Sequence, residues 1–151
     1  MKRFELILGG TFVLARIFAV FEVLVYGLLT LLSALILYFT YFLLSFYLLN
    51  NKTWGDIFKK ETYKNVGVFQ SIVSILAGIC LSSFVSGTLF VVMHWTNTFF
   101  AFYASIVFLV FISLTLLIGL KNEKYKTFSK QNLIRIGIVL FIGIISVFHA
   151  I

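Results

Sequence analysis

With 151 residues, 62% of them hydrophobic and 11% charged, 19 Phe and no Pro, the chain carries more apolar surface than a domain of its length can bury. That excludes a water-soluble enzyme or binding module and makes the bilayer the solvent. The net charge of +7 is not a nucleic-acid footprint: nine of the twelve basic residues lie in two short stretches, 50–65 and 121–135, with Lys2 and Arg3 at the start. Basic residues flanking apolar segments set topology and attract anionic lipid headgroups.

The opening basic pair and short apolar run resemble a signal peptide, but the apolar stretch continues to Leu49 without a small-residue cleavage site, so the segment is expected to be retained. A crossing helix needs about 20 apolar residues, so 4–49 is long enough for two crossings. Glu22, the sole acid between Glu5 and Asp56, followed by Tyr26 and Gly27, marks the turn between them. The expected spans are about 4–22 and 26–49. Arg16, Gly9 and Gly10 weaken the first, which has lying in the interface as its alternative.

In the loop 50–65, Trp54, Ile57 and Phe58 at helical spacing, with Lys59 and Lys60 on another side, predict a short interfacial helix anchored by the Trp. A third span is expected at about 66–93, then a tight hairpin at 94–97, where Asn97 tolerates the left-handed conformation. A fourth follows at about 98–120, a second basic interfacial loop at 121–131, and a fifth span at about 132–151. Five crossings put all three basic segments on one side, which the positive-inside rule assigns to the cytoplasm. The N-terminus is thus expected in the cytoplasm and the C-terminus on the opposite side.

The two hairpins align without gaps at an offset of 72: Phe18, Val20, Ser33, Leu37, Phe39 and Asn50 match Phe90, Val92, Ser105, Leu109, Phe111 and Asn122. The expected architecture is an all-α polytopic transmembrane bundle of two parallel hairpin repeats, the last hairpin truncated.

Chemistry-bearing residues are few. Ser74, Gly78, Ser82 and Ser86, four residues apart, form a small-residue stripe of the kind that lets helices approach closely in lipid. Its expected role is helix packing, within the chain or between subunits. Ala101, Ser105 and Ser113 form a weaker stripe. Arg16, Glu22, His94 and His149 fall toward the outer side and form a speculative polar cluster, although each also has a local explanation at a turn or helix end. The lone Cys80 reads as a small buried hydrophobe. No metal-ligand spacing, phosphate-binding glycine loop or nucleophile with an adjacent base is present in the sequence. No cofactor is expected.

Three segments resemble small Bacteroidetes membrane proteins of the GldL-related type: the opening Met1-Lys2-Arg3-Phe4-Glu5-Leu6-Ile7-Leu8-Gly9; Asn50-Asn51 followed by Ile57-Phe58-Lys59-Lys60-Glu61-Thr62-Tyr63-Lys64; and Gly87-Thr88-Leu89-Phe90-Val91-Val92-Met93-His94-Trp95. Those relatives usually carry Pro-Gly after the His-aromatic pair. Here Thr96-Asn97 stands there, and Glu22-Val23 replaces the corresponding pair of the first hairpin. In GldL, the membrane part of a proton-driven gliding and secretion motor, a Lys lies in the hairpin segment and a Glu in the following helix. Here Val91 and Val92 follow Phe90, and 98–120 contains no acid. The resemblance therefore implies a shared membrane hairpin more than a shared activity. The expected function is that of a non-enzymatic accessory or scaffold subunit of a membrane complex, partnered by the lipid bilayer, by anionic headgroups at the basic loops, and by another membrane protein or a second copy through the stripe. The alternative is a channel or proton-conducting subunit related to the gliding and secretion motor; no nucleic-acid partner is expected.

Overall fold

A computed structural model describes residues 2–19, 24–56, 59, 61, 66–94 and 99–148. Long apolar runs without Pro form five helices: α1 (Lys2–Ala19), α2 (Leu24–Leu49), α3 (Val68–Val92), α4 (Phe99–Gly119) and α5 (Glu123–Phe148). Among the described residues four helices, all but α1, are long and apolar enough to cross a membrane, and Phe4–Ala15 is a shorter apolar helix. Together they make an all-α transmembrane bundle. Large side chains such as Phe100 and Ile118 stand more than two-thirds exposed, as expected where lipid replaces water.

Helix ends follow local chemistry. Asn51 takes a left-handed backbone (φ 56°); its N–H reaches the Leu48 carbonyl (3.2 Å) and that of Lys52 the Tyr47 carbonyl (2.8 Å). This is the paired closure that an Asn at this position supports. His94 closes α3 likewise, with φ 54° and its N–H on the Val91 carbonyl at 3.0 Å. The left-handed residue of that turn is therefore His94; Asn97 lies outside the described residues. At the start of α3 the Gln70 side chain accepts the Gly67 N–H (3.0 Å).

The largest departure from expectation is at α5. The stretch 121–131, expected as a loop, is helical from Glu123, nine residues before the expected span. The Asn122 side chain accepts the Lys124 N–H at 3.0 Å, an N-terminal cap. Residues 123–131 contain no Gly or Pro to stop the helix, and Lys126 pairs with Glu123 at 2.8 Å. In the other basic segment the described residues include a 3-10 turn, Trp54–Asp56. Ile57 and Phe58, the rest of the expected interfacial helix, lie outside the described residues.

A shift of 72 carries α1 onto 74–91, inside α3, and α2 onto 96–121, overlying α4. Ser33 and Ser105, equivalent under it, are both buried, and each donates to the carbonyl three residues back. The same shift would start a copy of α3 at 140, whereas α5 begins at Glu123. The correspondence ends with the second hairpin.

α3 is the central helix, in contact with α2, α4 and α5, while α1 rests on α2. One end of the bundle gathers the start of α1, the end of α2, the start of α3 and the first half of α5. Asn50 donates to Ser74 Oγ (2.9 Å), and Asn51 bonds Gln131. In sequence, every Lys and Arg except Arg16 falls in the segments that begin or join helices at this end.

Candidate functional site

Two places in the bundle concentrate polar side chains or space, and they differ in kind. The first is the expected small-residue stripe. Ser74 and Ser82 are buried and Gly78 with them, and they face α2. A Cβ added at Gly78 would overlap the Ser45 side chain and lie 2.7 Å from the Tyr41 carbonyl oxygen. Ser86 is half-buried and donates within its own helix, to the Ser83 carbonyl (3.0 Å). The stripe packs α3 inside the chain. The expectation that a partner docks on it is corrected: the α2 backbone already occupies the space at Gly78.

The second place was not singled out from the sequence. Between α1 and α5 lies a half-open cleft of about 670 Å³, with α2 and α3 as its floor. Leu8, Phe12 and Ala15, at intervals of four and three, turn one face of α1 inward. Lining residues Leu6, Leu14, Ile134 and Ile138 are exposed, so the cleft opens to the outside of the bundle. Gly9 and Gly10 line it with nothing within 4 Å of an added Cβ. At its far end Gly143 lies against Phe84: a Cβ there would overlap the Phe84 ring.

The basic end of the cleft is closed by charge. Arg135 Nε–H donates to Glu5 Oε2 at 3.1 Å, with both side chains nearly buried. Tyr41, 2% exposed, donates its hydroxyl to Glu5 Oε1 at 2.7 Å. Arg135 Nη1 donates to the Leu48 carbonyl (3.0 Å) and to Asn132 Oδ1 (3.3 Å). The fully buried Asn132 donates to the carbonyls of Leu49 (3.1 Å) and Phe128 (3.0 Å). Both carboxylate oxygens are thus satisfied, the condition under which a buried ion pair is tolerated. The network joins three helices at one level: α1 through Glu5, α2 through Tyr41 and the carbonyls of its last turn, and α5 through Asn132 and Arg135.

A signal for this network existed. Asn132 and Arg135 lie three apart within the expected span 132–151 and so share a helix face. Counting Arg135 with the cations of the basic stretch hid its place on that face.

The expected outer-side cluster is not assembled by the described residues. His94 is exposed at the end of α3. Glu22 and His149 lie outside the described residues, as does the side chain of Arg16. Cys80 is half-buried and unpaired. Among the described residues no group of three or more His, Cys, Asp or Glu is placed to hold a metal.

In class the molecule is a helical integral membrane protein with a charge-capped lateral cleft. The chain matches no family model, no curated protein and no solved structure.

Proposed function

We propose that the chain is a non-enzymatic integral subunit of a membrane assembly, in the bacterial inner membrane with its N-terminus in the cytoplasm. The observation that carries this reading is how the polar groups of the helices are used. Glu5, Tyr41, Asn50, Ser74, Asn132 and Arg135 bond one another or nearby carbonyls. Most described hydroxyls on the helices donate to a carbonyl of their own helix. Groups spent on internal bonds hold the bundle together, and the faces that the described helices leave over are apolar contact surface within the bilayer.

α4 offers the broadest such surface. It buries one stripe, Phe102, Ser105, Leu109, Ile112 and Leu116, and presents Phe100, Tyr103, Phe108 and Phe111 outward. The subunit reading assigns the partner, another membrane protein or a second copy, to this face. The likeness of the opening, loop and hairpin segments to GldL-related proteins belongs to the same proposal, as does the orientation, which rests on the basic end of the bundle.

Photoreactive side chains at Tyr103 and Phe111 in native membranes test it. A crosslinked protein adduct at these positions, absent from a probe at Leu81 in the core, is the expected result. A chain that stays monomeric and adduct-free at native abundance overturns the reading.

One observation favours the conducting alternative: the Glu5 carboxylate stands at the head of an open cleft. That reading requires a proton or ion flux in proteoliposomes that is lost on Glu5→Gln, Glu22→Gln or His94→Ala. A flux indifferent to all three, or none, removes it.

A further inference from the structure

We propose that the cleft between α1 and α5 lodges one acyl chain of an anionic phospholipid from the leaflet at the basic end of the bundle. Three observations select this occupant.

The first is length. On α5 the lining runs from Gln131 to Gly143, about 18 Å of helix rise. One leaflet of the hydrocarbon core is about 15 Å deep, half of about 30 Å. The cleft starts at the charged level and ends near the depth at which an acyl chain ends.

The second is access. The cleft, about 670 Å³, is open along one side. A flexible hydrocarbon chain is the occupant that the bilayer itself supplies there. It can enter sideways, past the exposed Leu6, Leu14, Ile134 and Ile138.

The third is charge. The lining is apolar except at its head, where Glu5, Tyr41, Gln131 and Arg135 stand. Glu5 already neutralises Arg135. Around that head, the first half of α5 contributes Lys124, Lys126 and Lys130 against Glu123. Lys124, Lys126 and Lys130 are exposed. Their excess positive charge complements a phosphodiester headgroup in the interfacial layer, while the neutral Glu5–Arg135 pair forms the lid under which the chain passes.

The test uses the purified full chain in vesicles of phosphatidylglycerol and phosphatidylethanolamine mixed equally, with a trace of phosphatidylglycerol carrying a photoreactive group at mid-acyl chain. Expected is label concentrated on Val13, Ile138 and Ile142, and phosphatidylglycerol retained through delipidation at least fivefold over phosphatidylethanolamine. Gly9→Phe fills the cleft without a backbone clash, because nothing lies within 4 Å of its Cβ. It should cut cleft labelling at least fivefold with helical content and unfolding midpoint unchanged. Lys124→Gln/Lys126→Gln/Lys130→Gln should abolish the headgroup preference but keep the label position. Label spread evenly over the exposed faces of α4 and α5, unchanged by Gly9→Phe, would mean ordinary surrounding lipid and overturn the proposal. So would a protein crosslink at Ile138 in native membranes. If Gly9→Phe unfolds the chain, Gly10→Leu, at the neighbouring open glycine, decides on the same readout. The outcome is independent of any adduct on α4, so this proposal and the subunit reading can fail separately.

Discussion

The α2–α3 and α1–α5 interfaces are held by opposite means. Between α2 and α3 no space is left: Gly78 lets the helices meet at the backbone of Tyr41, and Leu48, Leu81, Ala77 and Ser74 are buried. Between α1 and α5 the helices meet at one level, through Glu5 and Arg135, and stand apart below it. In lipid there is no hydrophobic drive between helices, so close van der Waals packing and polar pairs are the available adhesives. The bundle uses the first at its centre and the second at its edge. A packed seam is rigid because every displaced atom loses contacts. A seam pinned by one ion pair leaves the rest of its length open to whatever the bilayer offers.

The contrast can be broken at either seam. The largest effect is expected at the centre. Gly78→Leu must force α2 and α3 apart and should cost about 3 kcal/mol or more, the upper range for overpacking, read as reversible unfolding in mixed micelles. Gly9→Ala, the matching change at the open seam, should instead stabilise by about 0.5 kcal/mol, since Ala is the better helix former and nothing obstructs it. Equal losses at both positions would refute the difference between the seams.

Arg135→Gln should cost about 3 kcal/mol, the low end for breaking a buried pair, because it leaves the nearly buried Glu5 carboxylate without its cation. The double change Glu5→Gln/Arg135→Gln should recover part of the loss, and the size of that recovery in a double-mutant cycle measures the pair. Additive single effects would show that the two residues do not interact.

Asn132→Ala should cost about 1 kcal/mol, the typical value of a hydrogen-bonded buried group. It should also raise amide exchange at the end of α2, where the Leu49 carbonyl loses its partner. A loss confined to α5 would contradict the link between the two helices.

The smallest effect lies outside the membrane. The Thr53 side-chain hydroxyl and then its backbone N–H, at 2.7 and 2.8 Å, hold the Asp56 carboxyl below its ordinary value. A carboxyl depressed in the folded state stabilises its turn above the ordinary carboxylate range, and that support is lost as pH falls through the depressed value. Trp54 lies in this turn with its ring 5.9 Å from that of Phe4. Its fluorescence should therefore stay constant from neutral pH into the mildly acidic range and change only below the usual carboxylate range. Thr53→Ala should move that midpoint upward; an unmoved midpoint assigns the titration elsewhere.

How much was legible in advance follows from the kind of signal each feature leaves. Hydropathy identified the bilayer as solvent, the helical class and, within a few residues, the limits of α2, α3 and α4, because a membrane span must be apolar over its whole length. The same property concealed which way each helix faces. When every position of α4 is apolar, periodicity carries no orientation, and only packing shows that Phe102 points inward and Phe100 outward. The stripe Ser74, Gly78, Ser82 was recognisable as a packing surface from its spacing. That its partner is α2 of the same chain required the fold, because a small-residue face suits any helix that reaches it. The start of α5 was missed because polarity was equated with a loop, although a helix leaving the membrane into water is free to be polar.

By itself, then, the sequence determined the solvent, the helices that are apolar throughout and the basic end of the bundle, since these depend on composition and local order along the chain. Only the tertiary structure decided that Glu5 meets Arg135, 130 positions away, and that a cleft opens beside them. Long-range pairing is set by how helices of unequal bulk stack in three dimensions, and no local pattern encodes that.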